Sequence, residues 1–337
     1  MRVCYGSVKG DGGQMRRRND IEFANDLVRW AAWLYHGEGR TQNEVADDLG
    51  VSRQSVANYL NEARTRGLVS VQLAPDILSA HAQAEALMRK FGLVGVHLVP
   101  EADDPEAARQ SVAKGGARVV ATLMRDGWTL GVSAGRTLSA LAAWMPIVRF
   151  PQSTVIQIAG SSIMGAATSP EVCTSSIASA LGAHCINLHA PAYLGTEALT
   201  QMLLSEPAVA RQFEIIAASD IIVFGVGELT GDTNIDQPPH LDSVVRDDYL
   251  ARGARAVVFG RFLDASGDEQ GGPLQHRTLA ISLDVARSIR IRLAVASGRT
   301  KQAALRAALG AGLITHLVID VGLAGLLLLG DGVGGCE

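Results

Sequence analysis

Cysteine is scarce. The 337 residues hold four (Cys4, Cys173, Cys185 and Cys336), far apart and with no CxxC pair. That argues against a disulfide framework or a zinc site, and reduced thiols fit a cytoplasmic protein. The eight histidines show no HxH or HExxH spacing. His184 and His189 flank an expected strand and read as structural rather than catalytic. No Ser or Cys pairs with a base in a recognisable motif, and the strand-to-helix loop at Gly131–Thr137 is neither a GK[ST] P-loop nor a GxGxxG. No catalytic group, metal site or cofactor is therefore expected. Long apolar runs are missing too. Leu317–Leu329 is interrupted by Asp320 and too short for a bilayer, so it reads as a buried strand and helix. The opening "MRVCYGSVKGDGGQMRRRND" has no apolar core after its charges. It reads as a disordered leader (1–19), not a signal peptide, with Met15 as an alternative start.

Excess positive charge is also absent. The net charge of −4 excludes a chain-wide nucleic-acid coat but not a local binding face. Residues 1–73 carry ten Lys/Arg against nine Asp/Glu, and the rest twenty against twenty-five. The acidic surplus thus lies away from the N-terminal part.

The length is too great for one typical domain and suits two, one of them large. An apolar fraction of 47% and 36 glycines fit a soluble α/β protein with many tight turns. From about Ile21 to His36, Phe23, Leu27, Trp30, Ala31 and Leu34 recur at helical spacing, and "HGEG" ends that helix. Thr41 with Glu44 forms a capping box for a second helix ending at Gly50. Ser52 caps a third, to about Arg66. "LVSVQLA" alternates like a strand, and Pro75 marks a boundary. Residues 20–74 form one domain, 75–92 a connector helix, 93–330 a second domain and 331–337 a tail.

Beyond the connector, strands alternate with helices. Strands are expected at Val94–Val99, Trp128–Val132, Thr154–Ile158, Ile186–Leu188, Ile221–Val226, Ala256–Gly260, Arg290–Ala296 and Leu317–Ile319. Helices fall at 105–126, 135–144, 171–182, 197–204, 242–252 and 299–311. The alternation predicts an α/β fold with a mostly parallel, Rossmann-like sheet covered on both faces.

The stretch "RTQNEVADDLGVSRQSVANYL" meets the steric needs of a helix-turn-helix. Val45, Ala46, Leu49, Val51, Val56 and Leu60 are apolar, Ala46 is small at the crossing, and Gly50 sits in the turn. The outward face would carry Arg53, Gln54, Ser55, Asn58 and Asn61, side chains suited to base edges. Tyr59 belongs to the half-buried side. Ser52 opens a helix N-terminus suited to a phosphate, and Thr41 and Gln42 could grip another. The competing reading is a packed hairpin with a solvated polar face.

In the large domain, "WTLGVSAGRTLSALAAW" is a strand, a loop and a helix. Gly131 and Gly135 would let backbone approach a ligand, Ser133 and Thr137 add hydroxyls, and Arg136 adds a fork suited to phosphate. A plain strand-to-helix turn is the alternative. "VIQIAGSSI" ends another strand with Gln157, Gly160, Ser161 and Ser162. "SDIIVFGVGELTGDTN" places Gly225, Gly227 and Asp232 after a third, and "VVFGRFLDASGD" places Arg261 and Asp264 after a fourth. Carboxyl ends of parallel strands line one crevice. A phosphorylated sugar or polyol suits it, with hydroxyls met by Gln157, Asp232 or Asp264 and phosphate by residues 131–137. Lys301 is a second anion contact or an ordinary exposed lysine.

Three functions remain open on this reading: a ligand-gated DNA-binding regulator, a phosphosugar isomerase or aldolase-like enzyme whose hairpin only dimerises, and a nucleotide-binding protein. The last is disfavoured because no acid follows the next strand to meet a ribose.

Taken in order, "GRTQNEVADDLGVSRQSVANYLNEARTRGLVSVQL", "FGLVGVHLVP", "LGVSAGRTLSAL", "IQIAGSS", "FGVGEL", "FGRFLDASGD" and "VASGRTKQAALRAALGAGLITHLVID" resemble the SorC/DeoR-like family of bacterial sugar-responsive transcriptional regulators. The resemblance implies a winged-helix-like DNA-binding domain and an effector domain similar to sugar-phosphate isomerase and CoA-transferase folds, used for sensing. It implies operator double-stranded DNA and a sugar phosphate as partners, a homodimer or homotetramer, and control of a carbohydrate operon. It assigns the phosphate to Gly131–Thr137, a second loop to Gln157 and Gly160, and an anion contact to Lys301. The family's Thr-Asp-Glu-x-Thr-Ala-like segment reads "IDVGLAG" here. Asp320 is kept beside Val321 and Leu323, which implies a less polar or smaller effector near that loop.

Overall fold

Asp26 begins the first helix. Its carboxylate accepts from the backbone N–H of Val28 and Arg29 and so satisfies two donors of a first turn. The computed structural model describes residues 26–69, 75–161, 169–229 and 243–329. Helix α1 (Leu27–Ala32) runs into one wider turn at Trp33–Gly37. It starts later than Ile21, and residues 21–25 lie outside the described part. Helix α2 (Gln42–Leu49) carries the expected capping box. The Thr41 hydroxyl accepts from Glu44 N–H, and the Glu44 carboxylate accepts from Thr41 N–H. That pairing holds the Glu44 carboxyl below the usual carboxylate range. Gly50 follows with φ 64°, a left-handed residue that no side chain favours. Helix α3 (Arg53–Thr65) is capped by Ser52, which accepts from Ser55 N–H. Ala31, Leu34, Val45, Ala46, Val56 and Leu60 form the shared core, with Tyr59 half-buried against it. Most of the expected wing-like strand (residues 70–74) lies outside the described part.

The chain divides into two units, Met1–Ala74 and Pro75–Glu337. The expected connector helix, α4 (Pro75–Phe91), belongs to the second. There a seven-stranded sheet is built from β1 (Gly95–Val99), β2 (Thr129–Val132), β3 (Thr154–Gln157), β4 (His184–Ile186), β5 (Ile221–Gly225), β9 (Ile291–Val295) and β10 (His316–Asp320). Its order is β1-β10-β9-β5-β2-β3-β4, and every pairing is parallel. Helices α5 (Pro105–Leu123), α6 (Arg136–Ala143), α7 (Pro170–Leu181), α8 (Glu197–Ser205), α9 (Pro207–Ala217), α10 (Ser243–Ala251), α11 (Leu283–Ser288), α12 (Gln302–Gly310) and α13 (Val321–Leu328) complete the layers. Near-continuous runs such as Ile221-Ile222-Val223-Phe224 fit this sheet because both faces are covered. One apolar cluster holds Ile222, Phe224, Leu317 and Ile319, and the other holds Val223, Leu130 and Val318.

The expected strand Ala256–Gly260 is a correction. Strand β7 (Ala254–Val258) pairs antiparallel with β6 (Gly227–Glu228) and β8 (Arg261–Asp264) in a separate small sheet. Phe259 (φ 56°) and Gly260 (φ 75°) form the two-residue turn between β7 and β8, so the strand stops before them. A type I′ hairpin turn needs positive φ at both positions, which Phe259 adopts against its preference. Phe259 packs on Phe224 with ring centroids 4.8 Å apart.

Helix α13 is held at both ends. At its start Asp320 accepts from Leu323 N–H (2.8 Å) and from Gly298 N–H (2.9 Å). At its end Lys90 of α4 donates to the carbonyls of Leu327 and Leu328, and Gln302 and Arg306 of α12 donate to Leu326. These donors serve carbonyls that the helix itself leaves unpaired.

His316 is buried beside Gly95, with Thr315 Oγ1 3.0 Å from its Nδ1. Burial, then His97 and Arg292, hold its imidazole below the ordinary histidine range. A depressed basic pKa means that the native state resists protonation. Stability should be full above the unfolded value of about 6.5 and fall as pH drops through it. Urea midpoints measured from pH 7 down to about 5 should decline, and His316→Gln should flatten part of that decline. A variant that declines as steeply as the wild type would remove His316 as the cause.

Candidate effector cavity and DNA-reading hairpin

Chain order fixes where a ligand can sit. From β2 the sheet grows one way through β3 and β4, and from β5 the other way through β9 and β10. The reversal lies between β2 and β5, and the crevice at the carboxyl ends there is the usual ligand position of such sheets. A cavity of about 760 Å³ opens at this edge. It is lined by the segments following β1, β2, β3, β5 and β9, by Asp320 at the end of β10, and by Phe259 and Gly260 from the hairpin. The size suits a small metabolite.

At one side, β2 is followed by Ser133, Ala134 and Gly135, which lead into α6. Gly135 (φ 133°) has no side chain to cap the helix, so the first turn presents backbone N–H groups with Arg136, Thr137 and the buried Ser133 hydroxyl. Such a turn carries a partial positive charge that favours an anion. On the other side of β5, β9 is followed by Ser297 and Gly298, then a short turn of 3-10 helix, Arg299–Lys301. Asp320 secures that turn through Gly298 N–H. Arg299 makes a bidentate bridge to Glu101 (2.7 and 3.1 Å). Lys301 Nζ lies 3.6 Å from Glu228 Oε1, their side chains 22% and 11% exposed. Thr300 Oγ1 also donates to Glu228 Oε1, at 3.1 Å. Burial lowers the Lys301 ammonium pKa and the nearby Arg136 and Arg109 charges add to that, while Glu228 pulls it back up. Arg109 reaches the cavity from α5 and pairs with Glu106. Burial pushes the Tyr193 phenol up to about 12, so it stays neutral. The arrangement can hold an anion at the α6 turn and polar groups along its length.

In the N-terminal unit, Arg53, Gln54, Asn58 and Asn61 are exposed on one arc of α3, opposite the buried Val56, Leu60 and Ala63. Glu62, the one acid of α3, is occupied by Arg66. Arg64 shares the exposed arc.

The family described as "Putative sugar-binding domain" matches residues 76–329. The transcriptional regulator YjhU of Escherichia coli K12 is 31% identical over 316 residues, covering 92% of this chain and 96% of that protein. The erythritol catabolism regulatory protein EryD of Brucella abortus is 25% identical, covering 88% of this chain and 94% of that protein. The full-length sorbitol operon regulator SorC of Klebsiella pneumoniae shares the fold, with a TM-score of 0.71 at 23% identity over 90% of this chain and 98% of that one. The chain belongs to the SorC/DeoR-like family of sugar-binding transcriptional regulators.

Within this regulator the structure gathers Ser133, Gly135, Arg136, Thr137, Gly160, Gly227, Lys301 and Asp320 around the cavity. Both Asp320 oxygens are taken by backbone N–H groups, so it holds the loop. Four expected contacts fall elsewhere. A Cβ on Gly131 would lie 2.6 Å from Ile158 Cγ2, so that glycine serves sheet packing. Gln157 is buried and spent on Ala159 O, Ser161 Oγ and Leu188 N–H. Ser161 faces Glu171 rather than the cavity. Asp264 closes its own turn by accepting from Ser266 and Asp268 N–H and from Gln270. Asp232 lies outside the described residues.

In the hairpin, the Thr41, Ser52 and Ser55 hydroxyls are engaged in helix capping. Gln42 Oε1 lies 3.5 Å from Arg53 Nε. Residue-by-residue reading missed Glu101, Arg109, Tyr193, Glu228, Phe259 and Arg299. One signal was present: Gly298-Arg299-Thr300 repeats the triplet Gly135-Arg136-Thr137, and both follow parallel strands.

Proposed function

We propose that the cavity binds a phosphorylated sugar or polyol and that occupancy controls how α3 engages an operator, making the protein a repressor of a carbohydrate catabolic operon. The observation that carries the reading is the uncapped α6 turn with Ser133, Arg136 and Thr137, set at the sheet's switch point inside a metabolite-sized cavity. Relatives named for erythritol catabolism and for a sorbitol operon support a polyol. Arg53, Gln54, Ser55, Asn58 and Asn61 read base edges, while Thr41, Gln42 and Ser52 meet backbone phosphates. The working form is a homodimer or homotetramer, since paired recognition helices read paired half-sites. The effector is sensed, not turned over.

The test is fluorescence anisotropy on promoter fragments recovered with the wild-type protein, at fixed salt, with and without polyol and sugar phosphates. At least one such ligand should weaken promoter binding by about 5–150-fold, the usual range of a binding coupling. Promoter affinity equal to that for random DNA would sink the regulator reading. Conversion of a sugar phosphate by the purified protein would favour the isomerase or aldolase alternative.

A further inference from the structure

Glu228 is an odd residue for a cavity that binds anions. It ends β6, just beyond β5, lines the cavity and is 89% buried by its side-chain exposure of 11%. Its Oε1 is used by Thr300 and Lys301. Its Oε2 is also buried, with no hydrogen-bond partner among the described residues. A buried carboxylate oxygen left unpaired is costly, and such atoms mark a place where a donor belongs.

The neighbouring charges narrow what that donor is. Lys301 faces Glu228, Arg299 faces Glu101, and Arg109 faces Glu106. These three cations are thus already matched by carboxylates, while the charge of Arg136 reaches Lys301 from the α6 turn, where the anion is placed. A second phosphate placed here would break the Lys301–Glu228 pair and set its own charge against Glu228 Oε2 in a shielded site, which is repulsive. A hydroxyl has no such conflict. It can donate to Glu228 Oε2 and accept from the Lys301 ammonium, which has three N–H donors.

We infer that Glu228 is the specificity-determining residue of this cavity: with Lys301 it receives a neutral, hydroxyl-bearing end of the effector, so the ligand carries one anionic group, held at the α6 turn. This deepens the effector reading above and rests on it. Lys301 thereby becomes a hydroxyl contact instead of a phosphate contact.

The experiment is isothermal titration of the full chain with erythritol 4-phosphate, ribitol 5-phosphate and glucitol 6-phosphate, each beside its terminal bisphosphate. The wild type should bind at least one monophosphate, and bind it about tenfold or more tighter than the matching bisphosphate, the effect of one charged contact. In Glu228→Gln, which keeps the shape and removes the charge, that preference should vanish or reverse, with folding checked by thermal melting. A wild type that binds a bisphosphate as tightly as its monophosphate overturns the inference, and this comparison decides the matter even if the variant fails to fold. A folded variant with an unchanged ratio overturns it as well, leaving the effector reading intact. A wild type that binds none of the six overturns both.

Discussion

Replacing Arg53 and Gln54 together by alanine should lower affinity for the promoter fragment by about 100-fold, because each base contact of this kind contributes about 1–3 kcal/mol. Affinity for random DNA should fall far less, since only Arg53 can add to phosphate attraction. Both side chains are exposed near the start of α3, whose cap comes from Ser52 and whose core comes from Val56 and Leu60. The melting temperature should therefore stay where it is, and sugar-phosphate binding by the other unit should be intact. That pattern separates a reading helix from a merely packed one. A loss smaller than about threefold would return α3 to the role of a solvated hairpin face.

Lys301→Met should cost about 3 kcal/mol of stability, because it leaves the Glu228 carboxylate buried without its counter-charge. The pair is mostly shielded, at 22% and 11% exposed, so solvent does little to rescue the orphaned acid. Adding Glu228→Leu should restore most of the loss, since replacing both partners removes the buried charge altogether. Urea unfolding of the two singles and the double gives the cycle directly. The double variant should remain folded and deaf to the effector. If Lys301→Met were as stable as the wild type, the ion pair would be a solvated contact and its place in ligand recognition would fall with it.

Local rules carried much of the fold. Thr41 with Glu44, Gly50 and Ser52 write helix ends within four residues of themselves, so α2 and α3 could be read from the sequence. The parallel strands were legible because a sheet covered on both faces demands runs such as Ile221–Phe224. The β7–β8 turn was not, because Phe259 sits at a positive φ where turn chemistry leads one to expect Asn or Gly. Cavity residues divided along the same line. Ser133, Gly135 and Thr137 belong to one local loop, whereas Glu101 and Arg299 meet from 198 positions apart. Gln157 and Asp264 misled for a related reason. A polar residue after a strand can satisfy neighbouring backbone as readily as a ligand, and the folded surroundings decide which it does.

The double anchoring of α13 makes that helix a stiff strut. Eight residues of unbroken hydrogen bonding join the Gly298–Lys301 bend, through Asp320, to the ammonium of Lys90 on α4. A tug on the bend cannot be absorbed by slack chain in between. It arrives at the helix that follows directly on Ala74, where the first unit ends.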